Sequence, residues 1–202
     1  LVNALDKAFY LSFGNVETTG KRIVLALDVS GSMGSGTVAG VPGLTPRVAS
    51  AAMALITAAT EPKHTIVAFG HQMVPVEISP RQRLDDVLKS TNGIPFGGTD
   101  CALPMIWALE NKVKADAFVI YTDSETWFGK IHPVQALTEY RRKMGIDAKL
   151  VVVGMTSNGF SIADPNDAGM LDVVGFDSAT PQVMADFIGV HNASKMKMSE
   201  DE

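Results

Sequence analysis

The sequence contains a single cysteine, Cys101, among its 202 residues. It therefore cannot form a disulfide within the chain, and no cluster of thiolates can hold a zinc ion. Such low cysteine content is typical of proteins of the reducing cytosol, so we predict a cytoplasmic location. No apolar run reaches about 18 residues, so we expect no transmembrane helix.

Basic residues are also scarce, with 17 Lys and Arg against 22 Asp and Glu and a net charge of -5. This balance argues against a protein whose main activity is non-specific binding of nucleic-acid phosphates. The densest basic run is Arg141, Arg142 and Lys143. It is interpreted as a solvated helix end, where the helix dipole favours cations, with partner binding as the alternative. Hydrophobic residues make up 46% of the chain, which is enough for a core that needs no structural metal.

Short apolar runs alternate with helical patterns along the chain. We predict strands over residues 22–29, 64–69, 73–78, 117–122, 148–153 and 173–176, and helices over residues 1–11, 46–60, 81–90, 101–111, 133–144 and 181–189. This alternation predicts an α/β fold with a doubly wound, mostly parallel sheet. We divide the chain into a helix and connector (1–19), the α/β domain (20–189) and a polar, disordered tail (190–202).

Oxygen-bearing side chains collect in three predicted loops. Asp28, Ser30 and Ser32 follow the first strand, Thr99 lies in a glycine-rich turn, and Asp123 ends the strand over 117–122. Loops at the carboxyl ends of parallel strands meet at one edge of a sheet. These segments contain no Lys, Arg or His. Carboxylates and hydroxyls without a cationic partner suit a hard cation, so we predict a site for Mg²⁺, with Mn²⁺ or Ca²⁺ as alternatives.

The spacing Asp-x-Ser-x-Ser, then a Thr in a glycine turn, then a strand-ending Asp, resembles the metal-ion-dependent adhesion site (MIDAS) of von Willebrand factor type A domains. The matching residues are Asp28, Ser30, Ser32, Thr99 and Asp123. The resemblance implies a six-stranded sheet flanked by helices. It also implies that Ser30, Ser32 and either Thr99 or Asp123 touch the ion directly, while Asp28 and the remaining group act through water. An acidic group of a protein partner would fill the open coordination position.

Longer stretches, among them LALDVSGSM, IPFGGTDCALPMIWA and GMTSNGFSIADPNDAGMLDVVGFD, resemble the Ro autoantigen proteins of the TROVE family. In that family a ring of HEAT-like helical repeats precedes a C-terminal type A domain, and the proteins bind noncoding Y RNAs and the ends of misfolded RNAs. The resemblance implies a ribonucleoprotein involved in RNA quality control, from a bacterial or vertebrate source. The chain begins at Leu1 and lacks the repeats, so we expect a fragment whose RNA surface lies in the missing region.

Three further interpretations accompany the metal site. Asp28 and Gly31 also fit the nucleophile loop of Mg²⁺-dependent haloacid-dehalogenase-like phosphohydrolases, but those enzymes need an acid where Ser30 stands. We therefore predict a protein without enzymatic activity. Glu125, Trp127 and Phe128 follow Asp123 and would form a partner-binding rim, with burial under the loop as the alternative. Cys101 is interpreted as a packing residue, because no His is placed to activate it.

Overall fold

A computed structural model describes residues 16–74, 76, 78–79, 81–91, 98–123, 129–156, 162–175 and 177–189. One sheet holds six strands: β1 (Ile23–Asp28), β2 (His64–Phe69), β3 (Met73–Val74), β4 (Ala117–Thr122), β5 (Lys149–Gly154) and β6 (Met170–Val174). Their order is β3-β2-β1-β4-β5-β6. All neighbours are parallel except β2 and β3, which are antiparallel. The predicted fold class is confirmed.

Helices cover both faces of the sheet. They are α1 (Pro46–Thr60), α2 (Leu84–Thr91), α3 (Leu103–Glu110), α4 (Pro133–Met144) and α5 (Thr180–Gly189). Alternate strand residues form two cores, one packed against α1 and α5 and the other against α3 and α4. Every residue of β1, β4 and β5 is buried, as expected for strands covered on both faces. Within the described ranges, no helix has the length and apolar character needed to cross a membrane.

The helix ends follow the chemistry of the sequence. The Thr45 hydroxyl accepts from the N–H of Val48 at 3.4 Å, and Pro46 occupies the first position of α1. At α4, His132 and Gln135 form a reciprocal capping box. The helix then stops at Gly145, whose φ of 64° is left-handed. The predicted bounds of both helices are confirmed, and so are those of β2 and β4.

Other predicted bounds need correction. β3 ends at Val74 rather than at residue 78, because the following residue is Pro75, which cannot donate to a ladder. The last strand, Met170–Val174, begins three residues earlier and ends two residues earlier than predicted, and it leads into Gly175 with φ of 93°. β1, β5, α2, α3 and α5 differ from the predicted bounds by one to three residues at one or both ends. The predicted helix over 1–11 and the tail over 190–202 lie outside the described residues.

The strand order reverses next to β1. The chain runs outward from β1 to β2 and β3, and then returns to place β4 on the other side of β1. Where the connections from two neighbouring strands run to opposite sides of the sheet, a crevice opens at the carboxyl ends of those strands. That crevice lies where β1 ends at Asp28 and β4 ends at Thr122.

Candidate metal centre

Asp28 forms the floor of the crevice at the end of β1. Only 2% of this residue is exposed. Its Oδ1 accepts a hydrogen bond from the N–H of Ser30 at 2.8 Å, and its Oδ2 accepts one from the Thr122 hydroxyl, also at 2.8 Å. Both oxygens are therefore held by groups at the ends of β1 and β4, and the carboxylate has a fixed orientation.

The two serines of the motif lie side by side above Asp28. Ser30 is buried, and its Oγ lies 3.1 Å from the Oγ of Ser32. A short 3₁₀ helix over Gly31–Gly34 turns the chain here, with the N–H of Met33 bonded to the carbonyl of Ser30. Sequence patterns did not predict this helix, but it is what brings the alternate serines onto one side. The two hydroxyls are therefore neighbours in the structure.

Thr99 is half-buried in the loop that precedes α3. Its neighbour Asp100 donates its N–H to the carbonyl of Gly70, at the end of β2, at 2.9 Å. A Cβ added to Gly129 would lie 2.5 Å from the Asp100 carboxyl. A side chain at position 129 would displace the Asp100 carboxyl, so the Thr99 loop lies against the end of β2 and against the chain at Gly129.

Asp123 follows β4 on the other side of the crevice. Its carbonyl accepts the N–H of Thr156 at 2.9 Å and the Thr156 hydroxyl at 2.6 Å. Its carboxylate Oδ1 lies 3.5 Å from the same Thr122 hydroxyl that bonds to Asp28. Two carboxylates therefore converge on a single hydroxyl, which has one proton to donate.

The carboxylates of Asp28 and Asp123 act on the titration of their neighbours. Burial raises the pKa of Asp28, and the charge of Asp123 raises it further, while hydrogen bonds from Ser30 and Thr122 lower it. The thiol of Cys101 has a strongly raised pKa because it is buried and because Asp28, Asp100 and Asp123 place negative charge around it. A thiol in that state is not a nucleophile, which agrees with the interpretation of Cys101 as a packing residue.

The donor set fits a hard, oxygen-seeking cation. It offers two carboxylates and several hydroxyls, and a bound dication would balance the charge that now raises the pKa of Asp28. Among the described residues, no three His, Cys, Asp or Glu side chains form a metal-binding cluster. A cation bound here would therefore need hydroxyl ligands beside the two carboxylates, as the motif implies. The predicted rim residues Glu125, Trp127 and Phe128 lie outside the described residues.

Two residues near the site were missed by the sequence interpretation. Thr122 was seen only as the end of a strand, although it orients Asp28. Arg47, on α1, donates from Nη2 to the carbonyl of Ser30 at 3.2 Å. This contact is to the backbone of the serine loop, so it supports the loop. No sequence pattern around Thr122 or Arg47 indicates these contacts, because each residue bonds to a group that is distant along the chain.

The basic run on α4 is tied into ion pairs. Arg142 and Lys143 both bind Glu139, at 2.9 and 2.8 Å, and Arg141 binds Asp167. These pairs offset much of the charge that partner binding would need. The structure therefore favours the solvated helix end over the partner-binding alternative.

Comparison with known proteins places the chain among relatives of known fold. A family model described as the Ro60 vWA domain, where vWA denotes von Willebrand factor type A, matches residues 22–188. The "RNA-binding protein RO60" of Deinococcus radiodurans is 53% identical over 187 residues, covering 93% of this chain and 35% of that protein. The protein of the same name from Caenorhabditis elegans is 47% identical over 189 residues, covering 93% of this chain and 29% of that protein. The chain thus spans about a third of the length of these curated relatives.

Solved structures agree with this result. The crystal structure of the Deinococcus radiodurans RO (RSR) protein matches with a TM-score of 0.85 and 53% identity, covering 93% of this chain and 38% of that chain. Proximal thread matrix protein 1 of the mussel byssus matches with a TM-score of 0.58 and 11% identity, covering 86% of this chain and 48% of that chain. The second match concerns the fold alone.

Proposed function

The chain belongs to the Ro60 vWA domain family, and on that premise we propose that it is a non-enzymatic domain that binds a divalent metal ion and, through it, an acidic group of a partner. The observation that carries this proposal is the convergence of the Asp28 and Asp123 carboxylates on the Thr122 hydroxyl. The paired hydroxyls of Ser30 and Ser32 lie beside them.

Mg²⁺ is the cofactor we propose, with Mn²⁺ or Ca²⁺ as alternatives. Asp28, Ser30, Ser32, Thr99 and Asp123 would hold the ion. When bound, it supplies a positive charge that attracts a carboxylate from a protein partner. Thr122 orients Asp28, and Arg47 holds the backbone of the serine loop. The residues of this chain thus provide a negatively charged crevice that accepts an acidic ligand only after a cation has been bound.

RNA enters the proposal through the longer protein. Both curated relatives are named RNA-binding proteins, and the chain covers about a third of each. We propose a cytoplasmic ribonucleoprotein with a role in RNA quality control, in which helical repeats outside this chain bind noncoding, Y-type RNA. The carboxylates of the metal centre would repel phosphate while no cation is bound. The metal-loaded centre would serve an acidic group of a protein partner, because the repeats already bind the RNA.

An NMR titration with acetate as the acidic probe tests the metal centre. Mg²⁺ alone should shift the backbone amide signals of Ser30 and Thr156, and acetate should shift them further only when Mg²⁺ is present. Asp123→Ala should abolish both responses, because it removes one of the two carboxylates. Asp186→Ala is the matched control, since Asp186 is an exposed acid on α5. An acetate response of equal size without Mg²⁺ would refute the metal-dependent mechanism.

The absence of catalysis is a separate prediction. The position two residues after Asp28 holds Ser30, whose hydroxyl cannot act as an acid or base at neutral pH, so the phosphohydrolase alternative is not favoured. Incubation with Mg²⁺ and p-nitrophenyl phosphate, or with labelled RNA, should give no turnover above the buffer rate. Sustained hydrolysis that disappears in Asp28→Asn would show that the protein is an enzyme after all.

A further inference from the structure

Basic side chains from three distant segments meet where the parallel strands begin, which we term the amino edge. Arg22 directly precedes β1, Lys63 directly precedes β2, and Lys114 lies shortly before β4. Because β1 lies between β2 and β4, these strand starts are neighbours. They line an open pocket of about 190 Å³, the amino-edge pocket, whose polar lining residues are Arg22, Lys63, His64, Thr65 and Lys114.

Arg22 is fixed in place on the wall of this pocket. Its Nε donates to Oδ2 of Asp116 at 2.9 Å, and its Nη2 donates to Oδ1 at 2.5 Å. The N–H of Arg22 also binds Oδ2, at 2.8 Å. This two-pronged pairing raises the pKa of Arg22, chiefly through the side-chain hydrogen bond. The guanidinium is therefore a positioned, permanently charged group.

His64 is also oriented by its neighbours. Its Nδ1 lies 2.6 Å from the carbonyl oxygen of Glu61. A carbonyl can only accept, so Nδ1 must carry a proton and donate it. Nε2 of the neutral ring is then an acceptor, so the donors to an anion in this pocket are its Arg, Lys and Thr side chains.

The charge around the pocket is in positive excess. The described residues that line it include no carboxylate, while Lys63 and Lys114 are exposed. Of the acids nearby, Asp116 is engaged by the ion pair just described. Glu61 is 2% exposed and accepts hydrogen bonds from residues 18 and 19. The local net charge of the amino edge is therefore positive, whereas that of the carboxyl edge, where the candidate metal centre lies, is negative.

We propose that the amino-edge pocket binds a phosphate group of single-stranded RNA. Lysine ammonium groups, a fixed guanidinium and a threonine hydroxyl are the groups that commonly contact nucleic-acid phosphates. This assignment rests on the proposed function, in which the longer protein binds RNA. The net charge of the chain is -5, so phosphate is attracted only where the charge is locally reversed. β1 has six residues and spans about 20 Å, so RNA and metal can be bound together at opposite edges.

The test is a fluorescence titration of the 202-residue chain with labelled oligouridylate at several salt concentrations. Wild type should bind weakly, with a Kd of about 10⁻⁴–10⁻⁶ M at physiological salt. The double variant Lys63→Ala/Lys114→Ala should lose about tenfold in affinity at low salt. Its salt dependence should flatten by about 0.7 in log–log slope for each phosphate that is no longer neutralised. The control Lys143→Ala, which removes an exposed lysine paired with Glu139, should change affinity less than about twofold.

Three results would overturn the proposal that the amino-edge pocket binds RNA phosphate. A logarithmic loss of affinity in Lys143→Ala about half that of the double variant would mean that only net charge matters, because the control removes one positive charge and the double variant removes two. Inorganic phosphate binding as tightly as the oligonucleotide would assign the pocket to a free anion. Polyglutamate binding more tightly than RNA, with the same sensitivity to Lys63 and Lys114, would assign it to an acidic protein. The Mg²⁺-dependent acetate response is recorded on the same variants and should not change, so failure of the pocket is distinguishable from failure of the metal function.

Discussion

Mg²⁺ should raise the melting temperature of the protein by about 5–10 °C when its concentration is about a hundredfold above the Kd. At that ratio mass action stabilises the folded state by about 2.7 kcal/mol, and each kcal/mol shifts Tm by about 2–4 °C in a domain of this size. Asp123→Ala and Ser32→Ala should remove most of this rise, because each deletes an oxygen from the proposed ligand set. Differential scanning fluorimetry with Mg²⁺ and with EDTA measures the effect.

Asp28→Asn separates the metal's effect from general damage to the site. Asparagine can accept from the N–H of Ser30 and donate to Thr122, so the fold is preserved. Burial raises the pKa of Asp28, so its charge destabilises the metal-free fold, and stability falls as the pH rises through that raised pKa. The variant should therefore melt a few degrees higher than wild type in EDTA at neutral pH, yet respond little to Mg²⁺. A Mg²⁺ shift equal to that of wild type in all three variants would place the ion elsewhere.

Thr122→Val should weaken Mg²⁺ binding by about 10–100-fold while the protein stays folded. Valine has nearly the shape of threonine but lacks the hydroxyl that bonds Oδ2 of Asp28 at 2.8 Å. Reductions of that size are usual when a group that orients a metal ligand is removed. Isothermal titration calorimetry with MgCl₂ gives the affinity, and the acetate response should weaken in parallel.

Thr57→Val provides the matched control for that experiment. Thr57 is also a buried threonine, and its hydroxyl binds the carbonyl of Met53 at 3.0 Å and lies 3.2 Å from the Tyr121 hydroxyl. Its replacement should lower stability by about 1–3 kcal/mol, as removal of a buried hydrogen bond does, without changing Mg²⁺ affinity. If both valine variants bind Mg²⁺ as tightly as wild type, Thr122 does not orient the metal ligand.

The fold was largely predictable because its signals are local. Buried parallel strands are continuous apolar runs, and β4 could be bounded from its six residues alone. Caps such as Thr45 and His132 mark helix starts within a few residues. The edge strand β3 was the poorest prediction, because the apolar run was followed past Pro75 although pairing with β2 involves only Met73 and Val74.

The candidate metal residues were also predictable, since Asp28, Ser30 and Ser32 sit in one loop and Thr99 and Asp123 complete a known spacing. The sequence could not reveal how they are held. Thr122 reaches Asp28 only because β4 lies beside β1, a neighbour relation that arises from the reversal of strand order.

By itself, therefore, the sequence determined the succession of strands and helices along the chain and the candidate oxygen donors, because both depend on residues that lie close together in the sequence. Only the tertiary structure decided which basic residues together form a surface of net positive charge. Glu139 and Asp167 offset two of the three positive charges of the basic run on α4. At the pocket of Arg22, Lys63 and Lys114, Asp116 offsets only one of three, although about 40–50 residues separate each of these basic residues from the next. The physical reason is that electrostatic potential depends on distances in space, and parallel strands bring all their starts to one edge.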